Sequence, residues 1–273
     1  MRGRRAENLT NDAAACYHCG MEEFRHSHAL GQNFLTDRNL LAAIVADADV
    51  KSGDTVIEVG AGQGALTRPL AMTGARVFAF EIDGRLEGCL RELEKEYPAL
   101  TVVMGDFMKS DAAALAAGPY KAVANLPYYI TTPVLFRLLD DPMCEGVTVM
   151  VQKEVAERIV ARPGGKDYGV LSVSAQLAGR PRITRTVGRQ MFTPPPNVDS
   201  AVVHIDVCRR GDEKTAAVVR AAFSMRRKTL INCLAPVWGK SAAASAIEAL
   251  GLDPAVRGER LSPEQYIELA KLL

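Results

Sequence analysis

From Thr55 onward, short apolar runs alternate with stretches whose apolar positions recur at helical spacing. The strand-like runs are Thr55–Val59, Arg76–Ile82, Leu100–Met104, Lys121–Ala124 and Gly146–Val151. Between them, Gly64–Met72, Gly84–Glu96 and Thr132–Leu139 read as helices. Ahead of the first strand, Asp37–Asp49 places Leu40, Leu41, Ile44 and Val45 at helical spacing, with Thr36 or Asp37 as N-cap. Strands joined in this way through helices predict a mostly parallel sheet covered on both faces. Helices over Lys153–Val160 and Tyr168–Ala178 come next. Strands Arg182–Val187 and Ala201–Val207 then flank the proline-rich turn Phe192–Asn197, and predict an antiparallel pair at one edge of the sheet. After Arg209-Arg210-Gly211 only helical periods remain, at Glu213–Ser224, Arg226–Leu234, Ser241–Leu250 and Pro263–Leu272. The pattern predicts an α/β domain over residues 28–210 and a small all-helical domain over residues 211–273. Residues 1–27 have no apolar period and read as a mobile arm.

Composition adds little until it is resolved along the chain. The 273 residues are 48% hydrophobic and 24% charged, an ordinary globular balance, with a formal net charge of only +1. Between Gln176 and Leu230, however, eleven basic residues face four acidic ones, an excess of seven positive charges. A polyanion is therefore expected to meet the C-terminal third. The six cysteines are scattered, no signal-like segment precedes them, and Glu7, Asp12, Glu22 and Glu23 make a transit peptide a poor reading of the N-terminus. No apolar run approaches the roughly 18 residues a membrane span needs. The expectation is a cytoplasmic protein with reduced thiols and no membrane partner.

Val56-Ile57-Glu58-Val59-Gly60-Ala61-Gly62-Gln63-Gly64 is a strand running into a glycine-rich turn, with a helix expected from about Ala65. Glycine lets the backbone approach a ligand, and a helix start there would add N–H donors and a positive dipole end. Glu81, about 20 residues on at the end of the next strand, stands where a ribose diol is held. The third glycine comes one residue too early for a dinucleotide turn. The E-x-G-x-G-x-G form resembles the S-adenosylmethionine turn of class I methyltransferases. Asp106 in Gly105-Asp106-Phe107 fits a contact to the adenine amine of such a cofactor, and equally the cap of a following helix.

The fourth strand ends in Asn125-Leu126-Pro127-Tyr128. An exocyclic adenine amine is a poor nucleophile because its lone pair is delocalised into the ring. The Asn125 amide oxygen and the Leu126 carbonyl can accept from its two N–H groups and localise that lone pair. Pro127 fixes the turn, and Tyr128 offers an aromatic face to an extruded base. An Asx-turn with a packed tyrosine has the same residues and remains the structural alternative.

Together, Leu30–Leu35, Glu58–Gly64, Glu81-Ile82-Asp83, Gly105-Asp106, Asn125–Ile130, Gln152–Ala156, Phe192–Val203 and Phe223–Leu230 resemble the small-subunit rRNA adenine N6,N6-dimethyltransferase family, from about His28 to the C-terminus. The resemblance implies a Rossmann-like class I methyltransferase sheet with a helical domain that binds RNA. It implies a cofactor site of Gln32, Asn33, Leu35, Glu58, Gly60, Gly62, Gly64, Glu81, Ile82, Asp106, Phe107 and Asn125. It also implies that Phe192 packs against the target adenine opposite Tyr128, although an anchor holding its loop to the core would use the same residue. The implied substrate is two adjacent adenines in a hairpin loop near the 3′ end of small-subunit rRNA, each methylated twice, and the implied enzyme is a monomer. Docking to immature subunits as an assembly factor, or dimethylation of large-subunit rRNA, are the alternatives.

Arg226, Arg227 and Lys228 are expected to open a helix and grip phosphates, with Arg220 nearby. The loop Arg162–Tyr168 offers Lys166 and an aromatic to RNA. The chain departs from its relatives just before Leu30, where Arg25-His26-Ser27-His28 replaces their usual cluster of Lys or Arg. Cys16 and Cys19 have zinc spacing but lack a second well-spaced pair, so no metal is expected.

Overall fold

In a computed structural model, residues 34–225 and 227–273 are described. The Cys16/Cys19 arm, Gln32, Asn33 and Arg226 lie outside the described residues. The main sheet has seven strands: β2 (Thr55–Val59), β3 (Arg76–Glu81), β4 (Leu100–Met104), β5 (Tyr120–Asn125), β6 (Cys144–Gln152), β7 (Gly179–Val187) and β9 (Ser200–Val207). Their spatial order is β4-β3-β2-β5-β6-β9-β7. The pairs β3–β4, β2–β3, β2–β5 and β5–β6 are parallel, whereas β6–β9 and β7–β9 are antiparallel. The sheet is thus the one expected, with its antiparallel pair at one edge. A separate two-stranded ribbon, unseen in the pattern, pairs β1 (Phe34–Leu35) with β8 (Phe192–Thr193).

Alternation along the buried strands splits the apolar side chains between two layers. Ile57, Phe78 and Phe80 face a core shared with α4 (Ala112–Ala116), α5 (Thr131–Asp140), α6 (Lys153–Ile159) and α7 (Val170–Ala178). Val56, Val77 and Ala79 face the other core, with α1 (Arg38–Asp47), α2 (Thr67–Ala71) and α3 (Glu87–Glu96). Asp37 caps α1, its carboxylate accepting from Leu40 N at 2.8 Å. A third core joins α7 to the helices after the sheet: α8 (Glu213–Ala222), α9 (Leu230–Trp238), α10 (Lys240–Ala249) and α11 (Pro263–Leu272).

Three local expectations are corrected. The turn after β2 runs on to Leu66, and α2 begins only at Thr67 and has five residues, so no helix starts at Ala65. Arg227 and Lys228 do not open α9, which starts at Leu230. Arg227 takes φ +66°, a left-handed value that breaks a helical course, and Leu230 N donates to Val256 O at 2.7 Å. Tyr168 is not presented by its loop. It is buried in the third core with its hydroxyl donating to Leu261 O at 2.9 Å.

The Arg185 guanidinium ties β7 to α1 through two bonds to the Asp47 carboxylate, at 2.6 and 2.7 Å. Burial pushes the Asp47 carboxyl up, but its hydrogen bonds to Arg185 and Thr184 and the Arg185 charge outweigh that and hold it below the ordinary range. Arg185→Met, which strands a largely buried carboxylate, is expected to lower stability at pH 7 by about 1–3 kcal/mol. Because the folded-state pKa is depressed, the pair's contribution is full above the unfolded value and fades as pH falls through the folded one. Urea unfolding of both proteins at pH 7 and in stepwise acid checks this. A gap that persists unchanged below the Asp47 titration would show that the ion pair is not its source.

Candidate active site

A cavity of about 340 Å³ opens at the C-terminal ends of β2, β3, β4 and β5. Its first wall is the glycine turn after β2. Gly62 has φ +59°, and a Cβ there would lie 3.1 Å from the Phe34 ring, so a side chain would strain the turn and crowd the ring above it. The N–H groups of Gly60 and Ala61 both donate to Phe80 O at 2.9 Å. Gly62 N donates to Glu81 Oε2 at 2.7 Å, and Gly64 N to Ala61 O at 2.9 Å. These four donors are consumed by the protein itself and are not open to a phosphate.

Three acids, Glu58, Glu81 and Asp106, stand in an otherwise largely apolar lining. Glu81 is buried, and its other oxygen accepts from Ile82 N at 2.9 Å and Asp83 N at 2.8 Å. Three backbone donors fix this carboxylate at the end of β3. Glu58 lines the same cavity at 1% exposure, and its Oε2 has no hydrogen-bond partner. Burial pushes its carboxyl up to about 8. The Thr67 hydroxyl opposes that shift without completing a well-formed bond, and the Glu81 charge adds to it. Asp106 joins from the end of β4, and Asp106 Oδ1 accepts from Met108 N at 2.9 Å, so this residue is both a cap and part of the cavity lining. Such a lining suits a ligand that carries positive charge and offers N–H or O–H donors.

The loop after β4 is held from behind by Arg137 on α5, a residue without any signal in the sequence. Its guanidinium donates to Met108 O at 3.1 Å and to Ser110 O, and lies 5.4 Å from the centre of the Phe107 ring. Phe107 packs edge-on to Phe80, with ring centroids 5.3 Å apart.

The opposite wall is Asn125-Leu126-Pro127-Tyr128, which leaves β5 at the cavity mouth. Leu126 N reaches Met150 O at 3.4 Å, and Pro127 O takes Ile130 N at 3.1 Å and the Thr131 hydroxyl at 3.3 Å. These bonds fix the turn, and among the described residues none claims the Asn125 amide or the Leu126 carbonyl. The Tyr128 hydroxyl meets the Ser200 hydroxyl at 2.8 Å, and burial pushes the phenol above its ordinary pKa, so it stays neutral. Phe192 lines the cavity at 4% exposure. The β1–β8 ribbon pairs it with Leu35, which brings Leu35 and Phe34 to the same cavity. Ile82 lies on its rim, 58% exposed.

The structure therefore brings together Leu35, Glu58, Gly60, Gly62, Glu81, Ile82, Asp106, Phe107, Asn125, Leu126, Pro127, Tyr128 and Phe192. Gly64 lies just outside. It takes φ +82°, and a Cβ there would come 2.9 Å from Leu93 in the core behind the turn. Arg220, Arg227, Lys228 and Lys166 are exposed, and none lines the cavity. The loop carrying Lys166 is fastened to the C-terminal helices by Gly164 N donating to Glu259 O at 2.7 Å.

Comparison with known proteins places these motifs. Residues 23–273 match the family model of ribosomal RNA adenine dimethylases. The chain is 44% identical over 263 residues to the ribosomal RNA small subunit methyltransferase A of Lactiplantibacillus plantarum, covering 90% of this chain and 89% of the relative. It is 42% identical over 271 residues to the protein of that name from Streptococcus pneumoniae, covering 92% of each. Among solved structures, a dimethyladenosine transferase from Plasmodium falciparum superposes with a TM-score of 0.75 at 27% identity, covering 86% of this chain and 95% of that one. The 23S rRNA methyltransferase ErmE superposes with a TM-score of 0.69 at 29% identity, covering 88% and 99%.

Glu58 generates a prediction that needs no substrate. Its folded pKa of about 8 stands above the ordinary 4.5, so between those values the folded chain keeps a proton that the unfolded chain has lost. Stability must then fall as pH rises through this window, by up to about 1.4 kcal/mol per pH unit, and level off above it. Urea unfolding of wild type and Glu58→Gln at pH 5, 6.5 and 8 measures the effect. The wild type should lose ground steadily to the variant; a constant difference would mean that the carboxyl titrates normally.

Proposed function

The chain belongs to the ribosomal RNA adenine dimethylase family, and on that premise we propose that it transfers methyl groups from S-adenosylmethionine to N6 of two adjacent adenines in a 3′-terminal hairpin loop of small-subunit rRNA, four transfers in all. One observation carries the reading: an acid-lined cavity continues directly into Asn125-Leu126-Pro127-Tyr128, with Tyr128 and Phe192 both on its walls. The relatives that are 40–44% identical carry the small-subunit name, whereas ErmE, a 23S enzyme, is 29% identical.

The residues present fit this cofactor. The unpartnered Glu58 oxygen and the acid lining suit a ligand with an ammonium and a sulfonium, and the satisfied turn amides suit one without phosphate. Glu58, Gly60, Gly62, Glu81, Ile82, Asp106, Phe107, Leu35 and Asn125 would hold it, with Gln32 and Asn33 joining from the segment before β1. When bound, it supplies an electrophilic methyl group. The chain's own part is orientation. Asn125 Oδ1 and Leu126 O accept from the adenine N6–H groups and expose the nitrogen lone pair, Pro127 keeps both acceptors in place, and Tyr128 with Phe192 grips the base. The proton displaced from nitrogen passes to solvent, so the site calls for no buried general base.

Arg220, Arg226, Arg227, Lys228 and Lys166 would hold rRNA phosphates outside the cavity. The enzyme acts as a monomer in the cytoplasm, on the small subunit or its precursor. Among the described residues no helix is long and apolar enough to cross a membrane.

The test is transfer of label from S-adenosylmethionine to small subunits lacking dimethyladenosine, with large subunits and DNA alongside. Label recovered as N6,N6-dimethyladenosine from the small subunit alone is expected, and Asn125→Ala should lower kcat about 100- to 1000-fold. Tight subunit binding with no label in any substrate would move the reading to an assembly factor that acts by docking. Arg227→Ala and Lys228→Ala should each weaken subunit binding and reduce the slope of log affinity against log salt by about 1. An unchanged slope would take those residues out of the RNA interface.

A further inference from the structure

We propose that Ser200 is a positioning residue for methyl transfer, holding the Tyr128 ring in the orientation that receives the target adenine; the proposal rests on the adenine-N6 reading above. Ser200 is the first residue of β9 and fully buried. It sits opposite Gln152 on β6 and Val187 on β7, so two ladders fix its backbone. Tyr128 is in a different situation. It follows the turn that leaves β5, in a single 3₁₀ turn (Tyr128–Ile130) whose next residue, Tyr129, is 59% exposed. A tyrosine held only at its Cα keeps freedom about two side-chain torsions. The 2.8 Å contact between the Tyr128 and Ser200 hydroxyls removes that freedom by pinning the far end of the ring to the strand two places away in the sheet.

Among the described residues, each hydroxyl has the other as its hydrogen-bond partner. A hydroxyl at 0% exposure in an apolar strand start is costly unless it is bonded. The neighbours Ala201, Val202 and Val203 show what packing alone selects along this strand. The bond also joins two segments that carry different parts of the base site. Tyr128 belongs to the turn that presents Asn125 and Leu126, and Ser200 ends the stretch that begins with Phe192. Fixing one to the other sets the Tyr128 ring relative to both the amine acceptors and Phe192, which lines the same cavity. Stacking depends on the ring's plane and offset, so a loosened ring would still bind RNA but would present N6 in line less often.

The experiment uses the full chain and small subunits lacking dimethyladenosine, and compares wild type, Ser200→Ala, Tyr128→Phe and the double variant. Both single changes remove the same bond, and Tyr128→Phe does so without touching β9. Each is expected to lower kcat about fivefold, the worth of one neutral hydrogen bond. The KM for subunits and the Kd for S-adenosylmethionine, measured calorimetrically, should stay within about twofold of wild type. The double variant should be no slower than either single one. The proposal is overturned if neither change moves kcat, or if the two losses multiply. It is also overturned if Ser200→Ala loses cofactor affinity while Tyr128→Phe behaves as wild type, since the serine would then serve only its strand. A wild type that forms no N6,N6-dimethyladenosine would overturn the functional reading itself, and this proposal with it.

Discussion

One carboxylate organises the mouth of the sheet. Glu81 accepts Gly62 N–H on one oxygen and the N–H groups of Ile82 and Asp83 on the other. With the two bonds into Phe80 O, this fastens the turn after β2 to the end of β3, in register with the Val59–Phe80 pairing. The consequence is electrostatic as much as geometric. A glycine turn whose amides point into a cavity attracts phosphate, whereas here the amides are spent on the sheet and the cavity is left with carboxylates. Glu58 is the extreme case, buried and short of a partner, and burial keeps it protonated up to about pH 8. Only a ligand bearing positive charge would repay its ionisation.

The same logic divides charge across the molecule. Acids gather where a cationic cofactor is expected, and the basic excess between Gln176 and Leu230 lies at the sheet's antiparallel edge and in the helices beyond it. A net charge of +1 conceals this division. The two regions are not loosely strung. Tyr168, Val173 and Leu177 enter the core of the C-terminal helices, and the Tyr168 hydroxyl closes on Leu261 O. A basic surface fixed to the sheet by an apolar core keeps its charges at a set position relative to the cavity.

What could be read from the sequence follows from how local each signal is. β2 and β4 were legible to the residue because each is a short, mostly apolar run set off by turn residues, with a glycine directly after it. Glu81, Asp106 and Asn125 were legible because each stands at or just after the end of such a run, and Glu58 because it interrupts one. The start of α9 was not, since the left-handed φ of Arg227 leaves no mark on the hydrophobic period, and Leu230 N is tied to Val256 O, 26 residues further on. Tyr168 resembled an RNA-facing aromatic in a glycine loop, and its burial depends on helices nearly a hundred residues further on, as its bond to Leu261 shows. Arg137 gave no signal, because a cation on the exposed side of an amphipathic helix looks the same whether or not it clamps a loop.

The base platform is the clearest case of this limit, and its physics explains why. Phe192 reaches the cavity through a two-residue ribbon with β1, and Tyr128 is bonded to a residue 72 positions away. Contacts of such long separation carry a loop-closure cost, and they form only once the sheet has brought their strands together. One hydrogen bond and one two-residue strand pair contribute little to assembling a seven-stranded sheet with three apolar cores. Their effect falls on the orientation of two aromatic rings and two acceptors, which burial alone does not determine. The cores make the cavity exist, and these weak, late, directional contacts decide what it can hold in line for reaction.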